Sequence, residues 1–303
     1  MASRDKKNAI LLTALASLIW GSSFPGAKWG LGYVSNDVFF LWLRFLVASA
    51  ITLSIVLYMR KFSFSILKRP AVWLVGAFNS GAFVAQYVGL NYTTASKTAL
   101  LVDINVIAVA IVSYFAFKER IGKMQAAGVA SGILGIFMLT TEGGMSFSSS
   151  QFRGDVLVFV AGWGWAFFIV INKKLLGTYN GIEVSTAAIV TSTIWLILPV
   201  SYLYLTGADF SMEPMAWVAI VYLGLFCTSI AMLLWALGLE GVSATASATI
   251  MLLEVVVALI LSIGLLEESL TTVAFIGAAF VMAAIYLVSA GEKEPEVPTL
   301  GYA

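Results

Sequence analysis

The chain contains no histidine and a single cysteine, Cys227, among its 303 residues. Without histidine it lacks the side chain most often used near neutral pH as general base, proton shuttle and transition-metal ligand. One thiol excludes an internal disulfide. Charge is also scarce: 17 Lys and Arg stand against 16 Asp and Glu, 11% in all, for a formal net charge of +1. With no long basic run, nucleic acid is not a natural partner. A G-x-x-x-x-G-K-[ST] phosphate loop is missing too, which excludes direct ATP drive. An intramembrane hydrolase would need an activated nucleophile with its base, and neither histidine nor a close pair of midplane aspartates is on hand to supply one. No enzyme, metal site or cofactor is implied.

What the chain has in excess is apolar surface. With 60% hydrophobic residues and a mean hydropathy of +0.97, it cannot be wrapped into a water-soluble surface. Its apolar segments, about 18–22 residues long, match an α-helix crossing about 30 Å of hydrocarbon, and the alternation of barrel strands is missing. The expectation is an all-α polytopic membrane protein with ten transmembrane helices, near 9–29, 38–58, 71–91, 94–117, 125–140, 156–171, 184–205, 215–239, 244–266 and 272–290. The first of these follows Lys6 and Lys7 but is too long for a cleaved leader.

The chain is also written twice. A shift of about 149 positions lays Gly89 on Gly238, Ala99 on Ala248, Val106 on Val255, Ser113 on Ser262, Glu119 on Glu268 and Gly128 on Gly277. A shift of about 145 lays Ala16 on Ala161, Trp20 on Trp165 and Lys28 on Lys173. The halves are 9–140 and 156–290, joined by a Gly- and Ser-rich linker at 141–155 and followed by a polar tail at 291–303.

Positive charge assigns the sides. With the N-terminus inside, thirteen basic residues lie in the cytoplasm, among them Arg60, Lys61, Lys68, Arg69, Lys118, Arg120, Lys173 and Lys174. Only Lys28 and Arg153 lie outside. Five helices per half is an odd number, so the second half enters from the opposite side: two inverted repeats, both termini cytoplasmic, the linker periplasmic. The charges agree, since Lys118 and Arg120 close helix four inside while their equivalents Glu267 and Ser269 carry no positive charge. Inverted repeats supply two nearly equal-energy arrangements around a central site, which is a transporter's architecture.

The repeat also pairs Asn105 with Glu254, two polar residues inside apolar segments, each about 15 Å deep at 1.5 Å per residue. A charged Glu254 at that depth costs about 2.5–3.5 kcal/mol. It therefore faces a wet cavity, is protonated, or is paired; packing as a protonated residue between helices is the plainer alternative. Asn105 is either interhelical glue or cavity lining. Asp103 points away from Asn105 and is read as a structural partner of Arg44 or Lys97. Helix three sets Asn79, Phe83 and Gln86 on one face, and the repeat puts Thr228, Met232 and Trp235 on the matching face of helix eight. Trp20 and Trp165 lie too deep for an interfacial aromatic belt and read as cavity walls. Pro25 and Gly26 offer a bend near the outer end of helix one, and Gly128 and Gly132 a small-residue packing face on helix five.

Taken together, the Trp20-Gly21-Ser22-Ser23-Phe24 run, the Trp165-Ala166 run, and the doubled Gly-Leu pair leading to a long apolar helix closed by Glu119 or Glu268 resemble the drug/metabolite transporter superfamily. The likeness is to its ten-helix EamA-type branch, over about residues 9–290, and most to YddG-type exporters of aromatic and other amino acids. The resemblance implies a central cavity walled by helices one, three, four, six, eight and nine. The matching residues are Trp20, Asn79, Phe83, Gln86, Asn105, Trp165, Trp235 and Glu254. One departure is that Val106 and Val255 stand where the family often has proline, so helices four and nine are expected to be straighter. The function implied is export of a small organic solute, an amino acid or similar metabolite, across a bacterial inner membrane by alternating access. Aromatic walls would supply apolar contact, with Asn79, Gln86 and Asn105 orienting a polar head. Proton exchange at Glu254 and uncoupled exchange both stay open, as do another metabolite or drug-like cation as cargo, and a channel or non-transporting role. A monomer is compatible with this reading.

Overall fold

Away from water the backbone must satisfy its own N–H and C=O groups, so long apolar runs wind into helices. The computed structural model describes residues 6–90, 92, 102, 105–117, 122–141, 149–266 and 272–291. The chain runs through α1 (Lys6–Leu31), α2 (Asp37–Tyr58), a 3-10 turn (Phe64–Lys68) and α3 (Pro70–Leu90). It continues through α4 (Asn105–Phe117), α5 (Lys123–Thr141), α6 (Ser149–Leu176), α7 (Gly181–Leu205) and α8 (Ala216–Leu239). Then come α9 (Ala244–Met251), α10 (Leu253–Leu266) and α11 (Thr272–Gly291). No strand occurs among the described residues.

Six helices, α1, α2, α3, α6, α7 and α8, are long and apolar enough to cross a membrane, and shorter apolar helices accompany them. Leu11, Ile55, Phe115, Leu198 and Leu205 all point outward. An apolar exterior of this extent suits lipid rather than water. The chain is an all-helical, polytopic membrane protein. Among the described residues the two larger apolar cores are one containing Ile169, Ile189 and Trp235 and another containing Phe40, Phe45 and Leu223, with Trp20 packed against both; a smaller one holds Ala9, Val242, Ala246 and Val288.

Close helix crossings depend on glycine. A Cβ at Gly128 of α5 would come within 3.0 Å of the Ala284 carbonyl oxygen of α11, and one at Gly135 within 2.6 Å of the Gly277 carbonyl oxygen. A Cβ at Gly89 of α3 would lie 2.7 Å from Val158 and 3.1 Å from the Gly154 carbonyl oxygen of α6. One at Gly238 of α8 would run into Thr13 of α1 and lie 2.9 Å from the Ala9 carbonyl oxygen. Helix pairs α5 with α11, α3 with α6 and α1 with α8 make the most extensive contacts.

Loops tie the two ends. Before α2, Val34 forms an antiparallel bridge with Met212: Ser35 N donates to Ser211 O (3.0 Å) and Glu213 N to Tyr33 O (2.9 Å). Nearby, the Ser211 hydroxyl and amide, together with Ser35, hold the Asp209 carboxyl below the usual carboxylate range. At the other end of α2, Arg69 Nε donates to the Tyr179 hydroxyl (3.1 Å), joining the α2–α3 loop to the α6–α7 loop.

Several features differ from the sequence reading. Helix α6 starts at Ser149, inside the stretch read as linker. Helix α1 runs through Pro25 to Leu31 as one helix. Residues Leu223–Ile230 of α8 wind as a π-helix. The helix across Glu254, expected to be straight for want of proline, is interrupted at Leu252. Lys97, Asp103, Lys118 to Arg120, Glu267 to Ser269, Gly143, Gly144 and the tail from 292 lie outside the described residues.

Candidate functional site

The break at Leu252 shows where backbone groups go when a helix opens. Leu252 N donates to Thr249 O and Val255 N to Leu252 O, both at 3.2 Å and three residues back. The Met251 carbonyl, whose α-helical donor would be Val255 N, instead accepts the hydroxyl of Ser17 from α1 at 2.8 Å. Glu254 falls in the first turn of α10, 7% exposed, at a helix start whose dipole favours negative charge. Interrupted helices of this kind mark sites at mid-bilayer in many transporters. The seam is tight: a Cβ at Gly21 of α1 would lie 2.7 Å from the Glu254 carbonyl oxygen and 2.6 Å from the Val257 Cβ. Ser17→Ala, fully buried, leaves the Met251 carbonyl without its partner and is expected to cost about 1–3 kcal/mol. Thermal melting in detergent checks this, and an unchanged midpoint would mean the break is held by something else.

The π segment of α8 is the second irregular element. Such wide turns recur at functional sites because they re-aim side chains and loosen the carbonyl ladder. Here the Trp20 indole Nε1 donates to the Cys227 carbonyl (2.7 Å). Thr228 and Ser229 hydroxyls donate back five residues to Leu223 O (2.9 Å) and Gly224 O (3.0 Å). Arg44 of α2, only 2% exposed, donates from Nε to the Thr228 hydroxyl (2.8 Å) and from Nη1 to the Tyr87 hydroxyl (3.0 Å). Its guanidinium lies over the Phe83 ring at 5.1 Å and the Phe45 ring at 5.9 Å. Hydrogen bonds from a charged donor contribute about 1.5–3 kcal/mol each and a desolvated cation–π contact about 2, which together offset a burial cost of several kcal/mol.

The predicted residues divide between these two places. Phe83 meets Trp165 edge to face at 5.2 Å, and so belongs to the Arg44 cluster. Trp20 lies 6.2 Å from Trp235, which stacks on Phe168 at 5.2 Å and donates from Nε1 to Ser247 Oγ of α9 (3.0 Å). Asn79 donates to Ser192 Oγ of α7 (2.9 Å), leaving its carbonyl oxygen buried without a partner. The Asn105 side-chain oxygen, on α4, is likewise buried and has no partner among the described residues. Gln86 is buried on α3. Orphaned amide oxygens in an interior are costly and mark places where a ligand or water can bind. Two open clefts of about 500 Å³ lie elsewhere, one beside Arg60, Lys61 and Asn180, the other between Gly81, Leu157 and Trp195. None of the eight predicted residues lines either cleft.

Arg44, Thr228 and Ser17 were not among the predicted site residues. Arg44 did carry a signal, as a cation inside an apolar segment; the others look like ordinary small polar residues.

At the far end of α6, Lys173 donates from Nζ to Leu239 O (2.7 Å) and Val242 O (2.5 Å), closing the end of α8. Lys28, at the corresponding end of α1, is exposed.

Comparison with known proteins agrees with this architecture. The model of the EamA-like transporter family matches the chain twice, at residues 7–141 and 152–290. An uncharacterized transporter of Archaeoglobus fulgidus is 28% identical over 296 residues, spanning 94% of this chain and 98% of that protein. A probable amino-acid metabolite efflux pump of Salmonella typhimurium is 26% identical, over 91% of this chain and 93% of its own length. Its Escherichia coli counterpart of the same name is 24% identical over the same shares. A solved crystal structure superposes with a TM-score of 0.80 at 18% identity, covering 94% of this chain and 98% of its own, and so shares the fold. With both halves matched, the chain belongs to the EamA-like transporter family.

Proposed function

We propose that this protein exports small organic solutes, amino acids first among them, across the inner membrane by alternating access. Two inverted five-helix repeats, 9–140 and 156–290, rock around a site lined by Trp20, Asn79, Phe83, Gln86, Asn105, Trp165, Trp235 and Glu254. Ten spans, cytoplasmic termini and a periplasmic linker between α5 and α6 complete the reading.

The observation that carries it is the doubled packing. Gly89 meets Gly154 and Val158 of α6, while Gly238, about 149 positions on, meets Ala9 and Thr13 of α1, each about 145 positions back. The Gly128 contact with Ala284 has its own counterpart in Gly135 with Gly277. Inversion is supported by the loops: the α2–α3 loop joins the α6–α7 loop at one end of α2, and its counterpart, the α7–α8 loop, joins the α1–α2 loop at the other. The ends differ in state. Lys173 is seated on α8 while its counterpart Lys28 is exposed, the asymmetry expected of a carrier sealed at one face. Amino acids lead the substrate list because two relatives carry the name of amino-acid metabolite efflux pumps.

Proteoliposomes loaded with unlabelled amino acids test the proposal. Saturable counterflow of a labelled amino acid is expected, lowered about tenfold or more by Trp165→Ala and Asn105→Ala, since each removes contacts that position the solute. Counterflow untouched by both changes would put the site elsewhere. Ohmic conductance without saturation would make the protein a channel.

A further inference from the structure

We infer that Arg44 is the carboxylate anchor of the transport site, and that the solutes carried are therefore carboxylates. The inference deepens the carrier reading above and rests on it.

Arg44 is a cation held at 2% exposure two turns into α2, and no carboxylate lies within bonding distance of it among the described residues. Its two hydrogen bonds, to Thr228 and Tyr87, are to neutral hydroxyls. They use Nε and one hydrogen of Nη1. The remaining amine hydrogens form a planar fork, the geometry that matches a carboxylate two to two. A permanent charge kept in a low-dielectric interior, with only hydroxyls and aromatic rings against it among the described residues, is poised for an anion that comes and goes.

The fold does not need that charge to make its helix crossing. Arg44 of α2 binds Thr228 of α8, and at the matching crossing between the halves Asn79 of α3 binds Ser192 of α7. Asn79 and Thr228 are repeat equivalents, and Arg44 and Ser192 stand at nearly the same offset. One crossing is therefore held by uncharged groups, Asn79 with Ser192, Thr191 with the Val72 carbonyl and Trp195 with the Trp73 carbonyl, while its counterpart carries a guanidinium. Packing accounts for the hydroxyl partner; it does not account for the cation.

Position supplies the rest. The guanidinium lies over Phe83, and Phe83 abuts Trp165, so a carboxylate on Arg44 would bring its side chain against an aromatic wall. Thr228 sits in the π segment of α8, whose preceding carbonyl, at Cys227, is bound by Trp20. Movement of that segment carries the Nε anchor with it, which links anchoring of the anion to motion of α8.

The experiment compares four ligands of one shape: L-phenylalanine, its carboxamide, phenethylamine and 3-phenylpropionate. Competition is read in phenylalanine counterflow, and binding as a shift of melting temperature in detergent. In the natural sequence the amide and the amine are expected to be at least about 100-fold weaker than phenylalanine, because a polar anchor left unpaired discriminates strongly. The phenylpropionate should keep measurable binding. Arg44→Gln should bring acid and amide within about threefold of each other. Thr228→Val, which keeps the charge and releases Nε, should raise KM for phenylalanine without changing the KM for the amide. Should Arg44→Gln not fold, the ligand series on the natural sequence and on Thr228→Val still decides. Equal potency of acid and amide in the natural sequence overturns the inference, and that is the result expected if Arg44 is instead committed to Asp103. Absence of amino-acid counterflow, combined with an Arg44-dependent melting shift by phenylpropionate, would sink the amino-acid reading and leave the anchor standing.

Discussion

Gly21→Val is expected to abolish counterflow and lower the melting temperature by several degrees, whereas Gly81→Ala should leave both intact. Both glycines are helical, so the contrast isolates packing from propensity. At Gly21 the new carbon meets the Glu254 carbonyl oxygen at 2.7 Å and Val257 at 2.6 Å. Backbone cannot swing aside, so α1 must back away from α10. Overpacking of this kind costs about 1–3 kcal/mol, and at roughly 2–4 °C per kcal/mol the shift is measurable. The functional loss should exceed the stability loss, because the seam carries the Leu252 break and its Ser17 hydrogen bond. At Gly81 nothing lies within 4 Å of the added carbon, and alanine restores about 0.5–1 kcal/mol of helix preference. If the two variants melt and transport alike, the α1–α10 seam has been misjudged.

Lys173→Met should unseal the end of α8. The ammonium satisfies two carbonyls, Leu239 O and Val242 O, that have few other donors so near a helix end. With water replacing one of the two charge-assisted bonds, the sealed arrangement loses the worth of the other, about 1.5–3 kcal/mol, a shift of roughly 10- to 100-fold in its population. Ala244, two residues past Val242 and fully buried, is a natural place for a reporter. A cysteine there, with Cys227 replaced by serine, should react with an impermeant maleimide about 10- to 100-fold faster when Lys173 is methionine. Reactivity should rise in vesicles exposing the face proposed to be cytoplasmic. Lys28→Met should leave that rate unchanged or lower it, because Lys28 belongs to the opposite end. Equal labelling in Lys173→Met and the parent would remove the lysine from the gating reading.

Much of this was legible in residue order. Membrane class, helical spans and the doubling follow from apolar runs and from repeated Gly89/Gly238 and Trp20/Trp165 spacings, since span length and glycine crossings are set by composition. Phe83 abuts Trp165, and Trp20 lies beside Trp235, pairs that join helices whose separate faces were read from spacing. What could not be read lies in two irregular turns. Leu252 carries no breaker residue; its interruption is possible because Ser17, over two hundred positions away, takes the freed carbonyl. The wide winding at Leu223–Ile230 is supported by Trp20 and Arg44, partners set by tertiary packing. Neither has a local signature. Arg44 itself stood out as a cation in an apolar span, but its neighbours depend on that same winding.

That winding also leaves a trace in the numbering. At its first turn, Gly224 seats α8 against Arg44 and Val47 of α2, as Gly76 seats α3 against Thr191 of α7, 148 positions apart. Downstream, Gly89 and Gly238 are 149 apart. In the proposed repeat the second half has therefore gained one amino acid between two fixed crossings, and the looped-out turn is where the insertion is stored. On the proposed duplication, ancestry survives as a one-residue indel between two glycine crossings, leaving the two halves unequal at the very segment that holds Thr228.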